Sequence, residues 1–170
     1  MSIKFTTQTT RYIKTVLYRS MFGNLDKNII VYTNTYSCLD PLKEDIEMWL
    51  NYSDDIKGDV IIINGDMKKE VKFVSAERFT ESIENPQLLL DDNKFNARIL
   101  LATAGSIGAG LDSQDVFSVT RIGYPTSAID MAQVMGRCGR DRSSVDDAVS
   151  GGEFHLVLSL NDFVYLNQRL

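Results

Sequence analysis

The stretch Arg98–Arg142, RILLATAGSIGAGLDSQDVFSVTRIGYPTSAIDMAQVMGRCGRDR, decides how the remainder of the chain is read. Ile99, Leu100 and Leu101 form the short apolar run expected of a strand covered on both faces. Thr103 ends that run, and Gly105, Gly108 and Gly110 follow, with Asp112 just beyond. A second strand over Ser118–Gly123 stops at Tyr124-Pro125. Ser127, with Asp130 three residues on, predicts a capping box for a helix through Ala132, Gln133 and Met135. That helix runs into Gly136-Arg137-Cys138-Gly139-Arg140. Arginines beside glycines suit a phosphate, because small residues allow close backbone approach and guanidinium forks bind phosphate oxygens.

Upstream, the polar Met1–Thr10 reads as an extended lead-in, and Thr10 as the cap of a helix through Ile13, Val16, Leu17 and Met21 that stops at Gly23-Asn24. Residues 1–27 are thus expected to be a lead-in and helix packing on the domain formed by 28–170. Asn28–Thr33 (NIIVYT) predicts a buried strand. Asp40-Pro41 predicts an N-cap with proline at the first helical position, and Leu42, Ile46 and Trp49 stripe one face of that helix. Asp59–Ile63 (DVIII) is the next strand, ending in Asn64-Gly65-Asp66. A helix with Phe73, Ala76, Phe79 and Ile83 inward is expected after it, closed by Asn85-Pro86, with Leu88–Asn96 as connector. Downstream, Asp141–Gly152 reads as an exposed loop, Glu153–Leu158 as an edge strand, and Leu160, Val164 and Leu166 as a terminal helix. Five strands alternating with helices predict an α/β fold with a mostly parallel sheet and helices on both faces.

At 170 residues the chain suits one domain with one core, and 44% hydrophobic with 24% charged residues argues against global disorder. No apolar run approaches the ~18 residues of a membrane span, and the N-terminus lacks the apolar core of a signal peptide, so no membrane partner is expected. Cys38 and Cys138 stand far apart and in no metal spacing, which points to free thiols in a reducing compartment. An intracellular protein is expected, nuclear in a eukaryote and cytoplasmic otherwise. The single histidine, His155, argues against a histidine-based metal site or catalytic triad and reads as a strand residue. A net charge of −5 argues against nucleic-acid binding through a broad basic face. It leaves room for a few local phosphate contacts, or for binding shared with another domain.

Two motifs carry less than they promise. Thr103–Gly110 resembles the glycine fingerprint of dinucleotide folds, but that turn should follow the first strand, and Val119–Gly123 ends without the acidic residue that would hold a ribose. Leu88-Leu-Leu-Asp-Asp-Asn93 imitates the apolar strand and acid of a Walker B motif, yet no G-x-x-x-x-G-K-[ST] occurs to hold a triphosphate. Asp91 and Asp92 read better as turn or capping residues. Hydrolysis in the P-loop manner by this chain unaided is not expected.

Gln133-x-x-Gly136-Arg137-x-Gly139-Arg140 is more specific. With Ala102-Thr103 through Gly110-Leu111-Asp112 it resembles motifs VI and V of superfamily 2 helicases, in particular the second RecA-like domain of RecQ-type DNA helicases. The sixth motif matches without change; the fifth has one residue more between Thr103 and Asp112 than the usual form. Asn28–Asn34 resembles the fourth motif, and Ile63–Met67 sits where the family carries an H-G-D-like turn. The resemblance covers Asn28–Arg142 and implies a RecA-like (Rossmann-like) three-layer sandwich. It further implies a motor in which two such lobes close on ATP and magnesium, held mainly by a P-loop lobe that these residues do not contain. Arg137 and Arg140 would be arginine fingers, Gln133 would bridge toward the first lobe, and Gly110, Asp112 and Gly136 would lie against the nucleotide. Thr33, Asn34, Gly65 and Thr103 would touch the phosphates of DNA, or of RNA, without reading sequence. Lys68, Lys69 and Lys72 would add local positive charge or simply form a solvated helix face. Taken singly, each arginine would read as a surface ion-pair partner; the constellation is what points to phosphate. Two further readings are a non-catalytic module that keeps the lobe's fold, and a lobe of an RNA helicase or another superfamily 2 translocase.

Overall fold

The computed structural model describes residues 28–54, 56–80, 95–107, 116–138 and 152–158, with Arg11, Thr15 and Asp162. Among them are five strands, β1 (Asn28–Thr33), β2 (Ile56–Ile63), β3 (Phe95–Thr103), β4 (Val116–Ile122) and β5 (Glu153–Val157). Three helices connect or follow them: α1 (Leu39–Asn51), α2 (Lys69–Thr80) and α3 (Ala128–Met135). The strands form one sheet in the order β2-β3-β1-β4-β5, and every pairing is parallel. The α/β fold with a parallel sheet is therefore as expected, and β5 lies at an edge.

Parallel neighbours need crossovers that return along the sheet, so helices cover its faces and central strands are buried on both sides. NIIVYT meets that demand: Ile29, Ile30, Val31, Tyr32 and Thr33 are all buried, and β1 spans the same residues that the sequence predicts. Alternate β1 residues feed two cores. Ile29 and Val31 join Ile99, Leu101 and Ile122 beneath Leu39, Leu42, Ile46 and Leu50 of α1, with Trp49 at the margin. Ile30 and Tyr32 join Leu100, Ala102 and Val119 beneath Phe79 of α2 and Val134 of α3. Helices on both faces give the three layers.

Three local expectations are corrected. α1 begins at Leu39, two residues before Pro41, and a 3-10 turn over Tyr36–Cys38 feeds into it. Leu39 is buried against the sheet and pulls the first turn inward. Asp40 then lies in the first turn, where the helix dipole favours its charge, and Pro41 still falls where no backbone donor is needed. Phe73 is 63% exposed, with Val71 and Val74, whereas Phe79 is fully buried. Six residues turn a helix by about 600°, which leaves Phe73 roughly 120° around from Phe79. Only the C-terminal half of α2 reaches the sheet, where the Phe79 carbonyl accepts from Asn28 Nδ2 at 3.5 Å and Arg98 Nη1 at 3.4 Å. β2 and β3 also begin earlier than expected, at Ile56 and Phe95, where each supplies the other's hydrogen bonds.

Arg11 and Thr15 are helical, in keeping with the helix expected there, and Asp162 is helical near the chain's end. The other residues expected in those two helices, Ile83, and the Asp91-Asp92 pair lie outside the described residues. No helix among the described residues is long and apolar enough to cross a membrane.

The contrast within α2 is measurable. Phe79→Ala should lower unfolding free energy by about 3–5 kcal/mol in urea titrations, because a buried ring leaves a cavity. Phe73→Ala should change it by no more than about 0.5 kcal/mol.

Candidate nucleotide and nucleic-acid site

Because all five strands run one way, the turns after β1, β2, β3 and β4 leave from a single edge, the edge at which open parallel sheets bind ligands. The turn after β2 is built by Asn64, whose Oδ1 accepts from the backbone N–H of Asp66 at 3.0 Å and of Met67 at 3.1 Å. Lys72 Nζ reaches back from α2 to donate to the Gly65 carbonyl at 2.9 Å. Gly65 is exposed, and a Cβ there would meet nothing within 4 Å.

The turn after β3 begins with Thr103, which is buried at the strand end. The Ser106 N–H donates to the Thr103 carbonyl at 3.1 Å, and Gly105 between them takes φ 77°, which glycine adopts without a Cβ penalty. Ser106 Oγ lies 2.6 Å from the Thr103 carbonyl and 3.0 Å from that of Ile63, so its one proton ties the turns after β2 and β3. Ile107 then folds onto the core shared with α3.

The N-cap of α3 is where the sequence predicts it, but the other half of the expected capping box differs: Asp130 Oδ2 accepts from the Thr126 N–H, one residue before the cap. Ser127 is its N-cap, and Ser127 Oγ accepts from the Asp130 N–H at 3.0 Å. At the other end Gly136 terminates the helix, with its N–H donating to the Ala132 carbonyl at 2.9 Å. A Cβ on Gly136 would approach that carbonyl to 3.1 Å, so a small residue suits the stop. Gln133 is exposed on α3. Arg137, one helical turn beyond it, is half-buried and directs Nη2 to the Ile107 carbonyl at 3.4 Å. The guanidinium therefore lies against the glycine-rich turn, joining the two segments that carry the family resemblance. A guanidinium with a carboxamide one turn away is a donor set that suits a phosphate. Gly110, Asp112 and Arg140 lie outside the described residues.

Cys138 Sγ donates to the Glu153 carbonyl at 2.8 Å, tying the segment after α3 to β5, and burial pushes its thiol pKa up. That suits an inert packing thiol rather than a nucleophile. His155 is a strand residue, and its Nε2 lies 3.1 Å from Glu153 Oε2.

The turn after β1 accepts a hydrogen bond from a residue that the sequence reading missed, Arg121 of β4. Thr33 is buried and its Oγ1 donates to the Thr35 carbonyl at 2.8 Å. Asn34 is exposed as a residue, but its amide faces inward: Nδ2 donates to the Tyr124 carbonyl at 3.1 Å, and Oδ1 accepts from Arg121 Nη2. The same Nη2 donates to Asp130 Oδ2 at 3.1 Å. Arg121 is completely buried, one residue from the carboxyl end of β4. Burial draws its pKa down, while Asp130 and, to a lesser degree, Tyr32 oppose that. The sequence signal was a single charged residue, Arg121, within the strand VFSVTRI.

Gly123 follows with φ 84°, and a Cβ on it would lie 2.7 Å from Asn34 Nδ2. Gly123→Ala should therefore lose about 1–3 kcal/mol of stability, from the positive φ and the displaced amide. Gly65→Ala, with open space, should stay within about 0.5 kcal/mol, both read from urea midpoints.

Comparison with solved structures finds domain 2 of the DEAD-box helicase Mss116p bound to an RNA duplex, 15% identical, covering 91% of this chain and 51% of that one at TM-score 0.61. The C-terminal part of the Fun30 ATPase domain is 14% identical over 91% of this chain and 40% of its own, at TM-score 0.53. T. fusca Cas3 with ATP is 15% identical over 85% of this chain and 16% of its own, at TM-score 0.58. Identities this low show a shared fold, and the chain spans about half or less of each of these structures. No curated protein matches the sequence. The family model for the helicase conserved C-terminal domain matches residues 11–142, which takes in the glycine turn, α3 and Arg137. The chain belongs to the helicase conserved C-terminal domain family.

Proposed function

We propose that this domain is the C-terminal motor lobe of an ATP-dependent, RecQ-like DNA helicase, supplying arginine fingers to a nucleotide held mainly by a separate P-loop lobe. The observation that carries the reading is Arg137 lying on the glycine turn, 3.4 Å from the Ile107 carbonyl, at the end of the helix that presents Gln133. The unchanged Q-x-x-G-R-x-G-R sequence is what favours a RecQ-like motor among the several kinds of helicase that share the fold.

ATP with magnesium supplies the phosphoryl group whose charge the lobe must stabilise. Arg137 would turn from the Ile107 carbonyl toward that charge when the two lobes close, with Arg140 as its companion. Gln133 would hydrogen-bond across to the first lobe, and Gly110, Asp112 and Gly136 would complete the near wall. An arginine finger contributes on the order of 10³–10⁵ in rate, which is about 4–7 kcal/mol of barrier. Along the sheet edge, the backbone at Thr33, Asn34, Gly65 and Thr103 would hold nucleic-acid phosphates. With a net charge of −5, such contacts position a strand rather than bind it tightly alone. An intracellular location, nuclear in a eukaryote, goes with that task.

The test joins this lobe to a P-loop lobe and measures nucleic-acid-stimulated ATP hydrolysis. Arg137→Ala and Arg140→Ala should each lower turnover on the order of 10³-fold or more while nucleic-acid affinity stays within a few-fold. Undiminished turnover in either variant would refute the finger role of that residue. Stimulation by single-stranded RNA equal to that by single-stranded DNA would refute the DNA-specific part and favour an RNA helicase.

A further inference from the structure

Arg121 is an expensive residue in the place where it lies. It has no exposed surface, and among the described residues its Nε and Nη1 have no hydrogen-bond partner. Burying polar nitrogens without partners opposes folding, and buried ion pairs often contribute less than an apolar side chain of the same volume. Its place on this face is set by the backbone. The β1–β4 register shifts between Asn28 and Ile29, so that Asn28 pairs with Val116 but Ile29 with Ser118. That extra residue brings Arg121 opposite Tyr32, on the face covered by α2 and α3; an unshifted register would place it on the α1 face.

The partners it does have explain what it achieves there. A single nitrogen, Nη2, donates both to Asn34 Oδ1, in the turn after β1, and to Asp130 Oδ2, in the first turn of α3. Asp130 Oδ2 also accepts from the Thr126 N–H at 3.1 Å and lies 3.3 Å from Thr126 Oγ1, which fixes the entry to the helix. Asn34 in turn grips the Tyr124 carbonyl. Four segments, the end of β1, β4, the turn after β4 and the start of α3, are thus held at one buried point.

We propose that Arg121 is a positioning residue: through Nη2 it yokes the turn after β1 to the first turn of α3, so that nucleic acid seated against that turn shifts the Gln133 and Arg137 carried by the helix. This rests on the motor reading above. Nothing in Arg121 touches nucleotide or nucleic acid; it acts through Asn34 and Asp130. A displacement of either acceptor breaks or drags a shared donor, which makes the two turns move together.

The deciding substitution is Arg121→Met, which keeps volume and removes every donor. Asp130 is not stranded by it, since it keeps the Thr126 N–H and the first turn of a helix. In the full chain, the thermal midpoint of R121M should equal or exceed that of the parent. Amide exchange at Thr126–Met131 should accelerate at least tenfold while β1 and β3 are unchanged. A lowered midpoint with faster exchange across the sheet would make Arg121 a packing residue and overturn the proposal. In the two-lobe protein, the ratio of nucleic-acid-stimulated to unstimulated turnover should fall at least tenfold for R121M and recover to within threefold in Arg121→Lys, whose ammonium can serve both acceptors. An unchanged ratio, or a fall that lysine does not restore, would overturn the coupling. Failure of the motor reading shows separately, as full turnover by Arg137→Ala; the coupling falls with it, while exchange at α3 still reads the yoke itself.

Discussion

The common direction of the strands governs this molecule. β1 is hydrogen-bonded in parallel to β3 on one side, residue against residue, and to β4 on the other with one shift of register. Parallel pairing forces each connection to cross back over the sheet, which places α1 on one face and α2 and α3 on the other. It also gathers the carboxyl ends of the strands at one edge, so segments far apart in the chain meet there. Asn34 meets Tyr124, and Ser106 meets the Ile63 carbonyl, for that reason.

Within that frame a few polar contacts set the geometry of the edge. Ser106 joins two turns through one hydroxyl. Lys72 and the Asn64 carboxamide hold the turn that presents Gly65. Arg121 joins the turn after β1 to α3 from inside the protein. Hydrogen bonds of this kind contribute only about 1 kcal/mol each to net stability, yet they specify position because a misplaced donor or acceptor is left without a partner. The two apolar cores hold the sheet together, and the polar contacts fix where its turns point.

Much of this is legible in the residues. The run Ile29–Tyr32 within NIIVYT is apolar on both faces because β1 is central and covered twice, and the polar Asn28 and Thr33 mark its limits, which are read correctly. The Ser127 and Asp130 spacing gives the N-cap of α3 because capping is a contact between near neighbours. The family resemblance of Gln133–Arg140 is legible for a related reason, since its residues are close in sequence and lie within the stretch that the helicase C-terminal domain family covers. Where the reading slipped, a distant partner decided. The first residues of β2 and β3 become strand by pairing with one another, although neither segment is apolar enough to announce it. Phe73 shares a plausible spacing with Phe79, but α2 meets the sheet only near its end, so the ring stays in solvent.

The residues alone determined the class of fold, the strand and helix order, and the start of the helix that leads into Arg137, because each rests on periodicity or on contacts within a few positions. Tertiary structure decided that the glycine turn and Arg137 touch, that Asn34 turns its amide inward, and that Asp130 serves an ion pair as well as a cap. It also decided that Arg121 is buried on the face of α2 and α3. That outcome hangs on a one-residue shift between β1 and β4, and since side chains alternate along a strand, such a shift moves an arginine from one side of a sheet to the other. No local pattern in VFSVTRI records it.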